Sequence, residues 1–99
     1  MDDYVFLLSE KRTEQNEQGD WEVTEPERRR AFAVAKSPTR AEFFGSLQAG
    51  YTTEMVFELS AWDYANEPRL EYQGFRYSVK KVYRKNTDTV ELSCERSGA

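Results

Sequence analysis

The 99-residue sequence contains no histidine and only one cysteine, Cys94. Without histidine there can be no Ser-His-Asp or Cys-His catalytic group and no zinc site of the Cys/His kind. A lone cysteine cannot form a disulfide within the chain, which is compatible with a reducing compartment. Cys94 alternates with apolar residues along the final predicted strand, so we expect a buried structural thiol and not a nucleophile.

The sequence also lacks a long hydrophobic run and an excess of positive charge. The apolar run YVFLL at Tyr4–Leu8 is far too short to cross a bilayer, and the acidic start MDD is unlike a signal peptide. We therefore expect a soluble protein made in the cytoplasm, without membrane contact. Lys and Arg total 14 against 18 Asp and Glu, a formal net charge of −4. This balance argues against nucleic acid as the default ligand, because phosphate binding relies on basic surfaces.

Catalytic side chains and phosphate-binding loops are equally scarce. The five glycines are scattered, so no glycine-rich phosphate loop is present. Glu54 and Glu58 lie four residues apart on a predicted strand, too far along it to converge on one small site, and a solvated face explains them better. We predict no enzymatic activity, no cofactor and no metal. Aromatic residues, in contrast, make up 14% of the chain, which predicts a folded domain with a core of large rings.

The first third of the chain predicts two strands separated by a polar loop. YVFLL at Tyr4–Leu8 is typical of a strand buried on both faces or lying at a subunit contact. The following segment has no large apolar residue until Trp21, which predicts a mobile loop over 13–20. RRRAFAVAKS alternates Phe32 and Val34 with three alanines. This favours a strand with one bulky and one small face, although so short an Ala-rich run is also compatible with a helix.

SPTRAEFFGSLQAG carries the signals of a short helix over 38–49. Thr39 and Glu42 have capping-box spacing, and Gly50 offers a left-handed stop. Apolar residues follow at spacings of three and four, which places them on one helix face. We expect an amphipathic helix of at most about three turns, laid across an end of the sheet.

The second half of the chain predicts a long strand, a loop and a C-terminal β-meander. From Tyr51 to Ala61, apolar and polar residues alternate with a period of two, typical of a half-exposed strand. WDYANEP breaks the alternation and predicts a loop over 61–68. Over 70–95, the QG dipeptide predicts a tight hairpin with positive φ at Gly74, the KK doublet after Val79 indicates a bulge, and RKNTDT predicts a second turn.

These elements indicate a single mainly β domain over 1–99. Five to six short antiparallel strands with one short helix are typical of a small antiparallel β-barrel or sandwich, because a closed or nearly closed sheet removes exposed edges.

One cluster leaves an alternative open. KKVYRK contains four basic residues interleaved with tyrosine, which could stack bases and neutralise phosphates on the face of an oligonucleotide-binding barrel. Lysines that protect a strand edge against edge-to-edge pairing explain the doublet more economically. The candidate nucleic-acid contacts are Lys80, Lys81, Arg84 and Lys85.

Taken as a whole, the order of features resembles the phage head-closure proteins, also called head-tail adaptor or head-tail joining proteins. The resemblance rests on the early strand, the polar Gly-containing loop before WEV, the segment SPTRAEFFGSLQAGYTTEMVFEL and the ending RLEYQGFRYSVKKVYRKNTDTVELSCER. It covers Tyr4 to Arg96. One departure is the single glycine in the loop before Trp21, where relatives are often richer in glycine.

The resemblance implies a small β-barrel with a helix and a structural role in the virion. Subunits would self-associate into a ring below the portal or connector adaptor protein, retain packaged DNA and dock the tail or a tail-completion protein. DNA would pass through the channel without specific binding. The particle would be assembled in the bacterial host cytoplasm. Another neck component, such as a tail-completion protein, is a close alternative.

Three segments are the contact surfaces that the resemblance favours: the polar loop, the helix and the 61–68 loop. For each of them, ordinary loop structure or core packing is an equally good explanation. The candidate contact residues are Gln15, Asn16, Gln18, Asp20, Phe43, Phe44, Trp62, Tyr64 and Asn66.

Overall fold

The computed structural model describes residues 3–9, 12–15, 17–24 and 27–97. Within these ranges the chain forms eight strands and one helix. In chain order they are β1 (Asp3–Leu8), β2 (Arg12–Gln15), β3 (Trp21–Thr24), β4 (Arg28–Lys36), α1 (Arg40–Gln48), β5 (Met55–Ser60), β6 (Arg69–Tyr72), β7 (Phe75–Arg84) and β8 (Thr89–Arg96).

Six of the strands close into a barrel in the order β1-β4-β5-β8-β7-β6. All the neighbouring pairs are antiparallel, and β6 pairs back onto β1 to complete the ring. Strands β2 and β3 form a separate two-stranded sheet. The predicted fold class, a mainly β protein with one helix, is confirmed, and the barrel is the form that it takes.

The barrel interior is filled by apolar side chains that alternate along the strands. Phe57 is fully buried and packs edge-to-face against Tyr72 and Tyr77, with ring centroids 5.2 and 5.5 Å away. Cys94 is fully buried as well, and burial raises the pKa of its thiol to about 12. The core cluster consists of Val5, Leu7, Ala31, Ala33, Phe57, Leu59, Leu70, Tyr77, Val90, Leu92 and Cys94.

Strand β4 turns its small face inward and its bulky face outward. Ala31 and Ala33 are buried, whereas the Phe32 side chain is 59% exposed. The reason lies in the cross-strand partners: Ala31 is opposite Val5 and Ala33 is opposite Leu59. These larger side chains fill the interior beside β4, so only alanine fits there, and the large residues of β4 remain on the surface.

Helix α1 begins as the sequence predicts but does not pack as predicted. The Thr39 side chain accepts from the Glu42 N–H and the Glu42 carboxylate accepts from the Thr39 N–H, each at 3.1 Å, and Gly50 has φ +93°. Ser46 is the one buried residue of the helix. No Cα atom of α1 lies within 8 Å of a Cα atom in a described strand. Phe44 and Leu47, on the expected apolar face, are 55% and 47% exposed, so the expected burial of that face against the sheet is wrong.

Two predicted boundaries are corrected by backbone pairing. The polar loop predicted over 13–20 contains the end of β2, with Gln15 opposite Trp21, and a turn follows at residues 17–19. Its mobility stays a prediction. The long strand predicted from Tyr51 begins only at Met55, because residues 51–54 connect α1 to β5.

The C-terminal half follows the predicted order closely. Strands β6, β7 and β8 form an antiparallel meander. The turn between the first two has positive φ at both Gln73 (51°) and Gly74 (83°), as a type I′ hairpin requires. The register of β7 against β8 shifts between Val79 and Lys81, where the lysine doublet indicated a bulge.

Candidate protein-interaction surfaces

Two candidate contact surfaces lie on the outside of the barrel, and the first crosses β1 and β4. Tyr4 and Phe32 are direct cross-strand partners, with ring centroids 4.6 Å apart, and Tyr4 is 46% exposed. The Arg30 guanidinium carbon lies 4.7 Å from the Tyr4 ring centroid, a cation-π contact. We call Tyr4, Arg30, Phe32 and the exposed Val34 the aromatic-arginine face.

Arginine charge surrounds this face without being fully neutralised. Arg28 lies 4.5 Å above the Phe6 ring and pairs with Glu71 at 3.1 Å. Arg30 is exposed and forms no ion pair with a carboxylate among the described residues. The face therefore combines exposed rings with a cation that is free to meet an acidic group on another molecule.

The second candidate contact surface is a groove between α1 and the outer side of β7 and β8. Its volume is about 670 Å³. The helix side presents Ala41, Gly45 and Ala49, which recur every four residues and therefore share one face. The strand side includes Tyr83, which is 54% exposed, and its cross-strand partner Glu91. We call this space the helix groove.

Polar contacts attach α1 to the short connection that leads into β5. The Thr53 N–H donates to the Ser46 Oγ at 3.0 Å, and the Tyr51 N–H donates to the Ser46 carbonyl oxygen at 3.0 Å. Ser46 Oγ in turn donates to the Phe43 carbonyl oxygen at 2.7 Å. A Cβ atom added at Gly45 would meet nothing within 4 Å, so the middle of the groove is open.

The 61–68 loop is fixed at one end of the barrel and exposes one large ring. Glu67 is buried; its carboxylate accepts from the Ala65 N–H at 2.7 Å and pairs with Arg29. The Tyr64 hydroxyl donates to the Glu67 carbonyl oxygen at 2.9 Å, and burial, with Glu67 nearby, raises the Tyr64 pKa to about 12. Trp62, in contrast, is 82% exposed.

The predicted contact residues lie in three different segments. Gln15 is the last residue of β2, Gln18 and Asp20 are exposed beyond it, and Asn16 lies outside the described residues. Phe44 is 55% exposed on α1, whereas Phe43 is partly buried.

In the 61–68 loop the predicted residues have different roles. Trp62 is exposed, Tyr64 packs against the core and Asn66 adopts a positive φ of 63°. Among the described side chains, no hydrogen bond, ion pair or ring contact joins this loop to α1.

Sequence reasoning did not select the aromatic-arginine face. The alternation of Phe32 and Val34 with alanine was visible, but which side faces the core depends on the strands that pair with β4. The available signal was that Arg28 and Arg30 share the alternation phase of Phe32 and Val34, because charged residues favour the solvent face of a strand.

The basic residues of β7 and the turn after it are exposed, and they differ in whether they form an ion pair. They are Lys80, Lys81, Arg84 and Lys85. Beyond the bulge, β7 pairs with β8 alone, so this part of β7 is a strand edge. Lys85 pairs with Glu58 at 3.2 Å. No described carboxylate pairs with Lys80, Lys81 or Arg84. The cluster thus keeps part of its charge available.

A small charge network lies beside this cluster on the outer surface. Lys36 pairs with Glu58 at 2.9 Å and also with Glu91. The hydrogen bonds to Glu91 and Glu58 raise the Lys36 pKa to about 12, and the hydrogen bond from Lys36 lowers the Glu58 pKa. The network fixes the outer surface where β4, β5 and β8 run side by side.

The chemistry available on the described surface is that of binding through rings and charges. The described part of the chain contains no cluster of three potential metal-ligating His, Cys, Asp or Glu side chains. The one described helix is too short and too polar to span a membrane. No protein-family model matches the chain, and a search of the curated proteins gives no match.

Proposed function

We propose that this chain is a structural subunit of the head-to-tail connector of a tailed phage, a head-closure or head-tail joining protein. In this role its copies form a ring under the portal or adaptor protein, retain the packaged DNA and present a docking surface to the tail or tail-completion protein. The observation that carries the proposal is the exposure of large side chains on opposite sides of a barrel whose interior is already filled.

The strand order supports two opposed contact surfaces. In a closed ring of six strands, the pair β1-β4 and the pair β8-β7 are three positions apart and so face opposite directions. The aromatic-arginine face lies on the first pair and the helix groove on the second. Exposed apolar patches mark interaction sites, and a ring subunit needs two different surfaces to join its two neighbours.

Charge and resemblance support the same role. The sequence resembles head-closure proteins from Tyr4 to Arg96. A net charge of −4 suits a ring through which DNA slides, because a strongly basic channel would hold the phosphates. The virion is the expected location, and no reaction or cofactor is part of the role.

Deletion of the gene from its native phage or prophage tests this function. After induction, electron microscopy of the lysate should show free tails beside empty or DNA-leaking heads, and supplying the intact gene should restore whole virions. Stable full heads beside defective tails would assign the chain to tail completion instead. Normal virions from the deletion would reject a connector role altogether.

A nucleic-acid-binding barrel is the second candidate, and one observation favours it. Lys80, Lys81 and Arg84 are exposed without described ion-pair partners, and exposed Tyr83 lies among them. Such a strand could stack a base and neutralise phosphates. It predicts single-strand binding that weakens with salt and is lost in the triple variant K80Q/K81Q/R84Q. Absence of binding at low salt would dispose of this alternative.

A further inference from the structure

We propose that the aromatic-arginine face of one copy of this chain docks into the helix groove of a second copy. The occupant of the groove is thus another molecule of the same protein, entering with Phe32 and Tyr4. This inference deepens the proposed function, on which it rests, because it names the surfaces through which neighbouring subunits of the ring meet.

The first argument is shape. The helix groove has a volume of about 670 Å³, within the range of pockets that enclose a bulky organic group. Its helix wall includes the small residues Ala41, Gly45 and Ala49, and a Cβ atom added at Gly45 would meet nothing within 4 Å. The Phe32 and Tyr4 rings contact each other, with their planes tilted by 36°, and are exposed on the opposite side of the barrel. A pair of rings is the kind of protrusion that such a groove accepts, because aromatic side chains dominate buried interface contacts.

The second argument is charge. Two carboxylates, Glu42 and Glu91, line the helix groove against one ammonium group, Lys81. Glu91 is already paired with Lys36, but Glu42 is exposed and its described contacts are those of the helix cap. The docking face contributes Arg30, which has no described acidic partner. Bringing Arg30 to the groove places a cation without a described acidic partner near the exposed Glu42 carboxylate, which has no described ion pair, and this favours the pairing over a contact between two arginine-bearing faces.

The third argument is direction. Because the face and the groove point in opposite directions, one molecule cannot satisfy its own groove. Two molecules that use this contact still leave one face and one groove unoccupied. The contact is therefore heterologous, and its repetition gives a ring when the rotation closes or a filament when it does not. A symmetric dimer would instead bring two identical faces together.

A crosslinking experiment separates these arrangements. Variants of the chain with Val34→Cys and with Gly45→Cys are purified, mixed and treated with a short bismaleimide; Val34 is on the aromatic-arginine face and exposed, and its replacement leaves Phe32 and Tyr4 in place. We expect crosslinked heterodimers of the two variants, and little crosslinking within either variant alone. The native Cys94 is fully buried and should not react in the folded chain. Trp62→Cys, exposed but outside both surfaces, is the matched control for random collision.

Sedimentation velocity over a range of concentrations measures the association itself. Gly45→Leu should fill the groove and weaken association at least about tenfold, whereas Gly45→Ala should not. Both remove a helix-destabilising glycine, so thermal unfolding should show neither to be less stable than the native chain. Phe32→Ser should weaken association about as much as Gly45→Leu, and Phe75→Ser, on another part of the surface, should not.

The outcomes distinguish this contact from the proposed function. Crosslinking of Val34→Cys to itself, equal association of Gly45→Leu and Gly45→Ala, or a monomer at millimolar concentration without crosslinks would each overturn the face-to-groove contact. The head-closure role would survive these results if the gene deletion still gave free tails and leaking heads. Conversely, heterodimeric crosslinks beside normal deletion virions would retain the contact and reject the role.

Discussion

The side-chain oxygen of Ser46 accepts a hydrogen bond from the backbone N–H of Thr53 at 3.0 Å, and both residues are buried. This bond joins the one described helix to the segment that leads into β5. The Ser46 carbonyl oxygen also accepts from the Tyr51 N–H at 3.0 Å, so two hydrogen bonds attach this part of α1 to residues 51–54. Polar contacts of Ser46 therefore help to hold α1 beside the helix groove.

Ser46→Ala should loosen α1 without unfolding the barrel. It leaves the buried Thr53 N–H without its partner, and an unsatisfied buried donor costs about 1–3 kcal/mol. We expect faster amide hydrogen exchange in α1 and at Thr53, with protection of β5 and β8 nearly unchanged. Ser97→Ala, which removes a partly buried hydroxyl from its 2.9 Å contact with Ser78, is the control. Uniformly faster exchange across the barrel would contradict a local role for Ser46.

The hairpin and bulge of the meander were accessible from the sequence because their causes are local. Gln73-Gly74 needs positive φ at consecutive residues, and the lysine doublet interrupts alternation where β7 shifts its register. The helix start was equally local, since Thr39 and Glu42 satisfy each other's backbone groups. The number of short strands predicted a barrel or a sandwich, and the pairing of β6 back onto β1 shows that the sheet closes into a barrel.

The candidate surfaces could not be predicted in the same way because they depend on contacts between residues that are far apart in the sequence. Whether Phe32 faces inward is decided by Val5 and Leu59, which fill the space beside β4. The attachment of α1 to the segment before β5 involves the hydrogen bond between Thr53 and Ser46, and a pattern of apolar residues in the sequence does not reveal such a bond. Short-range patterns thus specify turns and caps, whereas the outward surfaces emerge from the assembled barrel.

Glu67 should stabilise the 61–68 loop through two separate partners. Glu67→Ala removes the acceptor of the Ala65 N–H and the partner of Arg29, so we expect a loss of about 1–3 kcal/mol in the free energy of unfolding. Glu67→Gln keeps an acceptor oxygen but loses the charge, and it should lie between the native chain and Glu67→Ala. Urea denaturation measures all three chains. Equal stability of the two variants would assign the whole effect to the charge.

The Lys36 network should make a small contribution to stability that depends on pH. Pairing lowers the Glu58 pKa below its usual 4.5, so this contribution is present above about pH 4.5 and is lost as the pH falls through the folded pKa. Pairing raises the Lys36 pKa from 10.5 to about 12, so its contribution is complete below pH 10.5 and is lost as the pH rises through about 12.

Replacing Lys36 tests the size and the pH range of this contribution. The groups are partly exposed and screened by solvent, so Lys36→Gln should destabilise the chain by no more than about 1 kcal/mol at neutral pH. The difference from the native chain should shrink in acid, as Glu58 becomes protonated, and at high salt. Lys81→Gln, which removes a lysine without a described ion pair, is the control. A difference that persists below the folded pKa of Glu58 would contradict the network.

Chemical labelling of the Cys94 thiol should measure global unfolding of the barrel and not local opening of the structure. Its thiol is fully buried at the centre of the core, and burial raises its pKa to about 12, so at pH 8 the folded chain holds almost no accessible thiolate. A chromogenic thiol reagent should therefore react at a rate proportional to the unfolded fraction. Phe57→Ala, which opens a core cavity and costs about 3–5 kcal/mol, should accelerate the reaction by at least about a hundredfold. Ser46→Ala, which loosens only α1, should change the rate far less, and rapid labelling of the native chain would show that the barrel opens locally at β8.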